Sequence, residues 1–249
     1  MRTLIVLPTY QEADNIVRVL TRIHTVMPGA TVLVVDDGSP DGTADLAEAA
    51  GAETGGVEVL RRPGKTGLGS AYRHGFRWGL ARGFEAMVEM DADLSHDPAQ
   101  LPLLLGALED GADLVVGSRY VPGGSIPDWS WRRRALSRWG NRYAAALLGL
   151  NIADATSGFR AYRAVVLADL DSVWVRADGY GFQIEMAYLI ARRGYRIVEV
   201  PITFTDRTAG ESKMSGHIVV EALALVTWWG LRDRWRHRWK GGGRNGGEG

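Results

Sequence analysis

The chain has no cysteine, which excludes disulfides and thiolate metal sites and favours a reducing compartment. It also lacks an excess of either charge. Its 29 Lys and Arg against 29 Asp and Glu give a formal net charge of zero, so no general electrostatic case exists for a nucleic-acid partner. No apolar run reaches the roughly 18 residues that a membrane span requires. The nearest, IVVEALALVTWWGL from Ile218 to Leu231, is short and holds Glu221. The opening MRTLIVLPTYQEADN is too brief in apolar residues for a signal-peptide core and reads as a first β-strand. Glycine fingerprints are missing too. Lys65 and Thr66 follow Gly64 as in a phosphate-binding loop, but Val59 stands where that loop needs its first glycine. Gly67 and Gly69 are followed by Tyr72 rather than a third glycine, and the first turn, LPTYQE, has none, which argues against a dinucleotide oxidoreductase.

What is present is an alternation. The runs TLIVLP, TVLVVDD, VEVLRR, EAMVEMDAD and ADLVVGSRY read as strands, and helix-length segments lie between them near Asn15–Met27, Thr43–Ala50, Leu68–Arg82 and Pro98–Glu109. That rhythm predicts one large α/β domain, a mostly parallel central sheet with helices on both faces. Ligands of such sheets bind beyond the carboxyl ends of the strands. Polar signals gather there, at Pro8–Glu12, Asp36–Asp41, Asp91–His96 and Ser118–Tyr120. The second half departs from the rhythm. A Gly/Pro loop leads into a basic, Trp-bearing helix, and ATSGFRAYR, GYGFQIEMAYLIARRG and YRIVEVPITF read as strand, helix and strand.

Within VEMDADLSHDP, Asp91 and Asp93 are separated by Ala92 alone. In extended backbone both would point to one face about 6.6 Å apart. At an effective dielectric of 20 they would repel by about 2.5 kcal/mol. Few hard oxygen ligands of this kind suit Mg²⁺ or Mn²⁺ completed by phosphate oxygens and water, and His96 reads as part of the approach to the next helix. DDGSPDGTADLAE meets most of the spacing of an EF-hand loop, yet the β-branched TVLVVD precedes it where a helix is required. Pro40 and Gly42 instead make a turn, with Asp41 or Thr43 capping the next helix. A carboxylate such as Asp37 at that strand end suits a ribose or base.

The basic residues divide into groups. Arg132, Arg133, Arg134 and Arg138 stand among Trp129, Trp131 and Trp139, a composition suited to an interface of apolar rings and anionic headgroups. Trp228, Leu231, Trp235 and Trp239 recur on one helical face, which predicts an amphipathic, surface-lying helix over residues 217–240 and a disordered tail over 241–249. The Gly/Ser-rich DRTAGESKMSG carries Arg207 and Lys213, suited to a loop that brings cations to phosphates.

Together LPTYQEADNI, DDGSPDGT, GLGSAYRHGF, MDADLSHDP, GSRY, TSGFRAYR and DRTAGESKMSG resemble the dolichol- or polyprenol-phosphate mannose synthases of glycosyltransferase family 2, in family order from Leu7 to about Gly216. The resemblance implies a GT-A fold over residues 1–216 and inverting transfer of mannose from GDP-mannose to a polyprenyl phosphate, with release of GDP. It implies that Pro8, Tyr10, Glu12, Val35 and Asp37 contact the nucleotide. Asp91, Ala92 and Asp93 would hold the metal–diphosphate, with Asp93 the firmer metal ligand, and Arg119, Arg207 and Lys213 would bind phosphate groups of donor or acceptor. An anionic acceptor needs no strong general base, in keeping with the lack of a catalytic histidine. Some family members append transmembrane helices and this chain does not. The expectation is a protein peripheral on the cytoplasmic face of the membrane, aided by an integral-membrane partner protein. The rivals are a related synthase using UDP-glucose or another nucleotide sugar and a catalytically silent module that recruits partners to membranes.

Overall fold

The structure, a computed structural model, describes residues 1–171, 179–206 and 223–232. Seven strands form one sheet: β1 (Thr3–Thr9), β2 (Thr31–Asp36), β3 (Val57–Arg61), β4 (Ala86–Glu89), β5 (Leu114–Ser118), β6 (Arg160–Arg163) and β7 (Ile197–Pro201). Their order is β3-β2-β1-β4-β6-β5-β7. All neighbours run parallel except β6, which is antiparallel to both β4 and β5. Strands β1, β2, β4 and β5 read as continuous apolar runs because they are buried on both faces.

Helices α1 (Ala13–Val26), α2 (Thr43–Thr54) and α4 (Leu101–Glu109) cover one face, and α3 (Leu68–Leu80), α6 (Ala164–Asp171) and α7 (Gly179–Arg192) the other. Helix α1 shows the cause plainly: Ile16, Val19, Leu20 and Ile23 recur at helical spacing and are buried, each worth about 2 kcal/mol in burial. Helix α3 lies close on the sheet because two glycines face it. A Cβ at Gly75 would fall 2.5 Å from Val6 Cγ1, and one at Gly79 2.6 Å from Leu4 Cδ2. That contact outweighs the roughly 1 kcal/mol that each glycine costs a helix interior. The helix expected over Pro98–Glu109 begins as a 3₁₀ turn, Pro98–Gln100, where the Asp97 carboxylate accepts from the Ala99 amide.

Helix α5 (Trp131–Leu148) starts at the Ser130 cap and stops at Gly149, which is left-handed with φ 65°. It contributes to a third core cluster with α7 and the helical residues 223–232, in which Val226 and Trp229 are buried and Trp229 stacks on Tyr188. Trp228 and Leu231 are exposed, while the adjacent Trp229 docks the segment. Among the described residues no helix is long and apolar enough to cross a membrane. Arg207, Lys213, residues 217–222 and 233–240 of the expected C-terminal helix, and the 241–249 tail lie outside the described residues.

Candidate active site

The first two rim loops are stitched together by side chains. The amides of Gln11, Glu12 and Ala13 donate to Ser39 Oγ, Thr43 Oγ1 and Asp41 Oδ2, and Thr9 Oγ1 donates to Asp36 Oδ2. The cap of α2 is the left-handed Gly42 rather than Asp41 or Thr43, and Asp41 accepts from the Thr43 amide across it. Pro8 and Val35 are register partners on β1 and β2. The Val35 side chain is fully buried toward Gly75, and its main chain lies between β1 and β3. Half-buried Tyr10 lies under Lys65, whose Nζ is 5.0 Å from the ring centroid. Glu12 begins α1 and accepts from Asn15 Nδ2. Asp37 is buried 2.7 Å from Arg62. Burial raises its pKa above the ordinary value, with Arg62 and the Thr66 amide pulling the other way.

Asp91 and Asp93 do not extend a strand. Strand β4 ends at Glu89, Met90 donates to Val6 as a last sheet bond, and the chain then bends. The bend needs Leu94 at φ 64°, and Asp93 Oδ1 accepts from both the amide and the hydroxyl of Ser95. Thus the shared-face geometry expected of extended backbone is replaced by a turn with Asp91 half-exposed and Ala92 and Asp93 buried. Among the described residues the non-glycine left-handed positions are Gln11 and Leu94, one in each of two facing rim loops, where backbone strain commonly marks function. His96 is buried against Phe159, and its Nδ1 accepts from the Asp91 amide. It fixes the Asp91 backbone. Among the described residues no cluster of three or more His, Asp or Glu side chains gathers for a metal. The donor set of Asp91 and Asp93 therefore fits a hard divalent cation only if phosphate oxygens and water complete it.

Arg119, directly after β5, is buried and bidentate with Asp154. Its Nε and Nη2 donate to the two carboxylate oxygens at 2.7 Å each, and its own amide donates to Asp154 Oδ2 at 3.0 Å. Burial raises the Asp154 pKa, but the Arg119 charge and hydrogen bonds prevail and hold it below the usual carboxylate range. Tyr120, Trp129 and Phe204 surround the guanidinium, with centroids 5.5–5.6 Å from Cζ. Breaking such a buried pair costs about 3–5 kcal/mol, whereas an exposed pair such as Arg22–Asp97 is worth about 1 kcal/mol or less.

Arg119 lines a cavity of about 150 Å³ between α5, α7 and residues 223–232, with Arg133, Ser137, Trp129 and Ile184 also on its wall. Its surface is mostly apolar. Trp129, expected at an outer interface, is instead buried there, donating its indole N–H to Asp206. Arg133 stacks 3.9 Å over that indole and pairs with Asp206 at 3.2 Å. Arg133 carried a signal only as one of a run of arginines, and Ser137, Asn141 and Asp154 carried none.

A second polar group lies inside the fold. Glu89 and Arg160 are register partners on β4 and β6, both fully buried, beside Gln183, Tyr72 and Tyr162. Arg160 donates to the carbonyls of Ser157, Gln183 and Ala155, so it ties the 155–157 loop to α7.

The sequence matches the family model for Glycosyl transferase family 2 over residues 4–171. It is 53% identical over 235 residues to an undecaprenyl-phosphate mannosyltransferase of Micrococcus luteus, covering 94% of this chain and 96% of the relative. It is 51% identical over 234 residues to a polyprenol monophosphomannose synthase of Mycolicibacterium smegmatis, covering 94% and 88%. The fold is similar to that of glucosyl-3-phosphoglycerate synthase from Mycobacterium tuberculosis, solved with Mn²⁺ and uridine-diphosphate-glucose. That likeness has a TM-score of 0.69 and 22% identity over 90% of this chain and 77% of the other. With the strand–helix order, the rim loops and these matches in agreement, the chain belongs to glycosyltransferase family 2 and has its GT-A fold.

Proposed function

We propose that the protein transfers mannose from GDP-mannose to a polyprenyl phosphate, forming polyprenyl-phosphate mannose and releasing GDP. The observation that carries this reading is the cavity beside the rim. It is apolar over most of its wall yet carries Arg119 and Arg133, a combination that matches an isoprenoid chain ending in phosphate. The names of the two bacterial relatives support the same acceptor class. Pro8, Tyr10, Glu12, Val35 and Asp37 take the nucleotide at the stitched rim loops. Asp91, Ala92 and Asp93 take the diphosphate, and Arg207 and Lys213 supply further cations.

In the reaction an acceptor phosphate oxygen attacks the anomeric carbon. The bond from that carbon to GDP breaks, and its electron pair stays on the diphosphate, giving inversion. The attacking oxygen is already anionic, so the site needs no strong base. Its task is to bring two anions together, which Arg119 and Arg133 do on the acceptor side. A divalent cation, Mg²⁺ or Mn²⁺, held by Asp91 and Asp93 would stabilise the charge on the leaving diphosphate.

The lipid acceptor implies a protein peripheral on the cytoplasmic face of a membrane. Helix α5 supports this: it holds Arg132, Arg134, Arg138 and Arg142 and no acid, and Trp131, Leu136 and Trp139 are exposed on it. Such a surface suits anionic headgroups, and an integral-membrane partner protein would strengthen the attachment.

Incubation with membranes and radiolabelled GDP-mannose or UDP-glucose tests the reading. Labelled, mild-acid-labile lipid is expected from GDP-mannose. Labelled lipid from UDP-glucose alone, or none from either donor, would overturn it.

A further inference from the structure

Arg119 has a long, flexible side chain, yet it is held at three levels. Asp154, fully buried, takes its Nε and Nη2 on two oxygens, and Nη2 also donates to Thr156 Oγ1 at 2.9 Å. Asp154 is itself placed from behind. The Glu199 carboxylate on β7 accepts from the amides of Ala153 and Asp154 at 2.7 and 2.9 Å. From the other side, buried Asn141 on α5 makes a two-way contact with Thr156. Its Nδ2 donates to Thr156 Oγ1 at 3.2 Å, and its Oδ1 accepts from the Thr156 amide at 3.1 Å. Three separated segments thus converge on one guanidinium: α5, the 153–156 loop and β7.

We infer that Asp154, Thr156 and Asn141 are positioning residues for the acceptor, which hold the Arg119 guanidinium at the cavity wall and so set acceptor affinity, Asp154 from behind the wall and Thr156 and Asn141 from the wall itself. The inference rests on the proposed reading that Arg119 meets the acceptor phosphate. A guanidinium already fixed loses no side-chain freedom when the phosphate arrives, and its donors keep one direction. The anchoring through Asn141 also ties that direction to α5, the helix with the exposed Trp and Arg face. A counterion role for Asp154 would act oppositely: removing its charge would leave the pocket more cationic and tighten phosphate binding. The two roles therefore differ in sign.

The test uses the full chain in detergent with citronellyl phosphate as acceptor and GDP-mannose as donor. Thr156→Val keeps the shape and removes the hydroxyl that Arg119 and Asn141 share. It is expected to raise the acceptor KM about tenfold, the usual loss for a hydrogen bond to a charged group, while the donor KM stays within about twofold. Thr156→Ser restores the acceptor KM, and Asp154→Asn raises it more than Thr156→Val does. Circular dichroism shows which variants are folded, and where Asp154→Asn does not fold, Thr156→Val made on top of Arg119→Lys decides the matter: no further rise in acceptor KM is expected if Thr156 acts through Arg119, and an additive rise would overturn positioning. A folded Asp154→Asn with a lowered acceptor KM would overturn positioning in favour of a counterion. So would a Thr156→Val that shifts both KM values alike, or neither. Arg119→Lys separates the premise: an unchanged acceptor KM in that variant removes Arg119 from the acceptor site altogether. A raised one, with Thr156→Val inert, sinks the positioning inference alone.

Discussion

Replacing Glu89 by Gln exchanges a carboxyl for an amide of the same shape at the end of β4, where the side chain is fully buried. Gln183 and Tyr162 lie beside the carboxyl. The facing Arg160 donates to three main-chain carbonyls. Burial dominates and raises the Glu89 pKa from 4.5 to about 7, against lowering pulls from the Arg160 charge and from Gln183 and Tyr162. A displacement of that size corresponds to about 3 kcal/mol. In the unfolded chain Glu89 ionises at its ordinary value, so folding takes up a proton between pH 4.5 and about 7. This group's contribution to stability is fully present below 4.5 and is lost as pH rises through about 7. The Glu89→Gln variant has nothing to lose across that window. Urea unfolding of both proteins in metal-free buffer, from about pH 4.5 to 7.5, isolates the effect, because the other carboxylates cancel in the difference. The variant is expected to gain up to about 3 kcal/mol on the native protein as pH rises. A flat difference, or one of opposite slope, would show Glu89 ionised throughout as a salt-bridge partner of Arg160 and would refute the reasoning.

Gly124→Ala places a Cβ 2.6 Å from Ser118 O and 2.8 Å from the Arg119 carbonyl carbon, both main chain. It should lower stability by about 1–3 kcal/mol and displace Arg119, cutting turnover at least tenfold; native turnover with a native melting point would contradict this. Asp93→Asn should abolish transfer while leaving lipid-vesicle binding intact, and a chelator should stop the native enzyme until Mg²⁺ or Mn²⁺ is restored; turnover that survives both treatments removes the metal assignment. The double change Trp131→Ala and Trp139→Ala removes two exposed rings from α5 and should weaken flotation with anionic liposomes without lowering the melting point. Undiminished flotation would move the membrane contact elsewhere.

The parallel strands were legible because burial on both faces writes itself as unbroken apolar runs, as in TLIVLP and TVLVVD. The end of β4 was not. Ala, Met and Val carry on into Met90 and Ala92 without a local break, and the strand stops because Leu94 turns left-handed and Ser95 folds back on Asp93. Helix α6 escaped notice because AVVLADLD has no period that separates a short helix from a buried strand. Carboxylates at the rim stood out as types in a pattern. By contrast, Asp154, Asn141 and Glu199 gain their meaning from contacts between residues up to 46 apart in sequence, which no local pattern records. Trp129 and Trp131 flank the same serine, Ser130, and only tertiary packing buries one and exposes the other.

Strand β6 runs against its neighbours, so it starts at the rim where β4 and β5 end. The loop before it, with Ser157 bonded to the Gly117 carbonyl and Phe159 stacked on His96, stands as a partition across the rim. On one side lie the nucleotide and diphosphate residues proposed between Pro8 and Asp93. On the other lie Arg119, Arg133 and Asp154. Each side comes from its own stretch of chain, and the seam between them is a single reversed strand. The seam is also a joint, because His96 holds the Asp91 amide on one side and stacks on Phe159 of the loop itself.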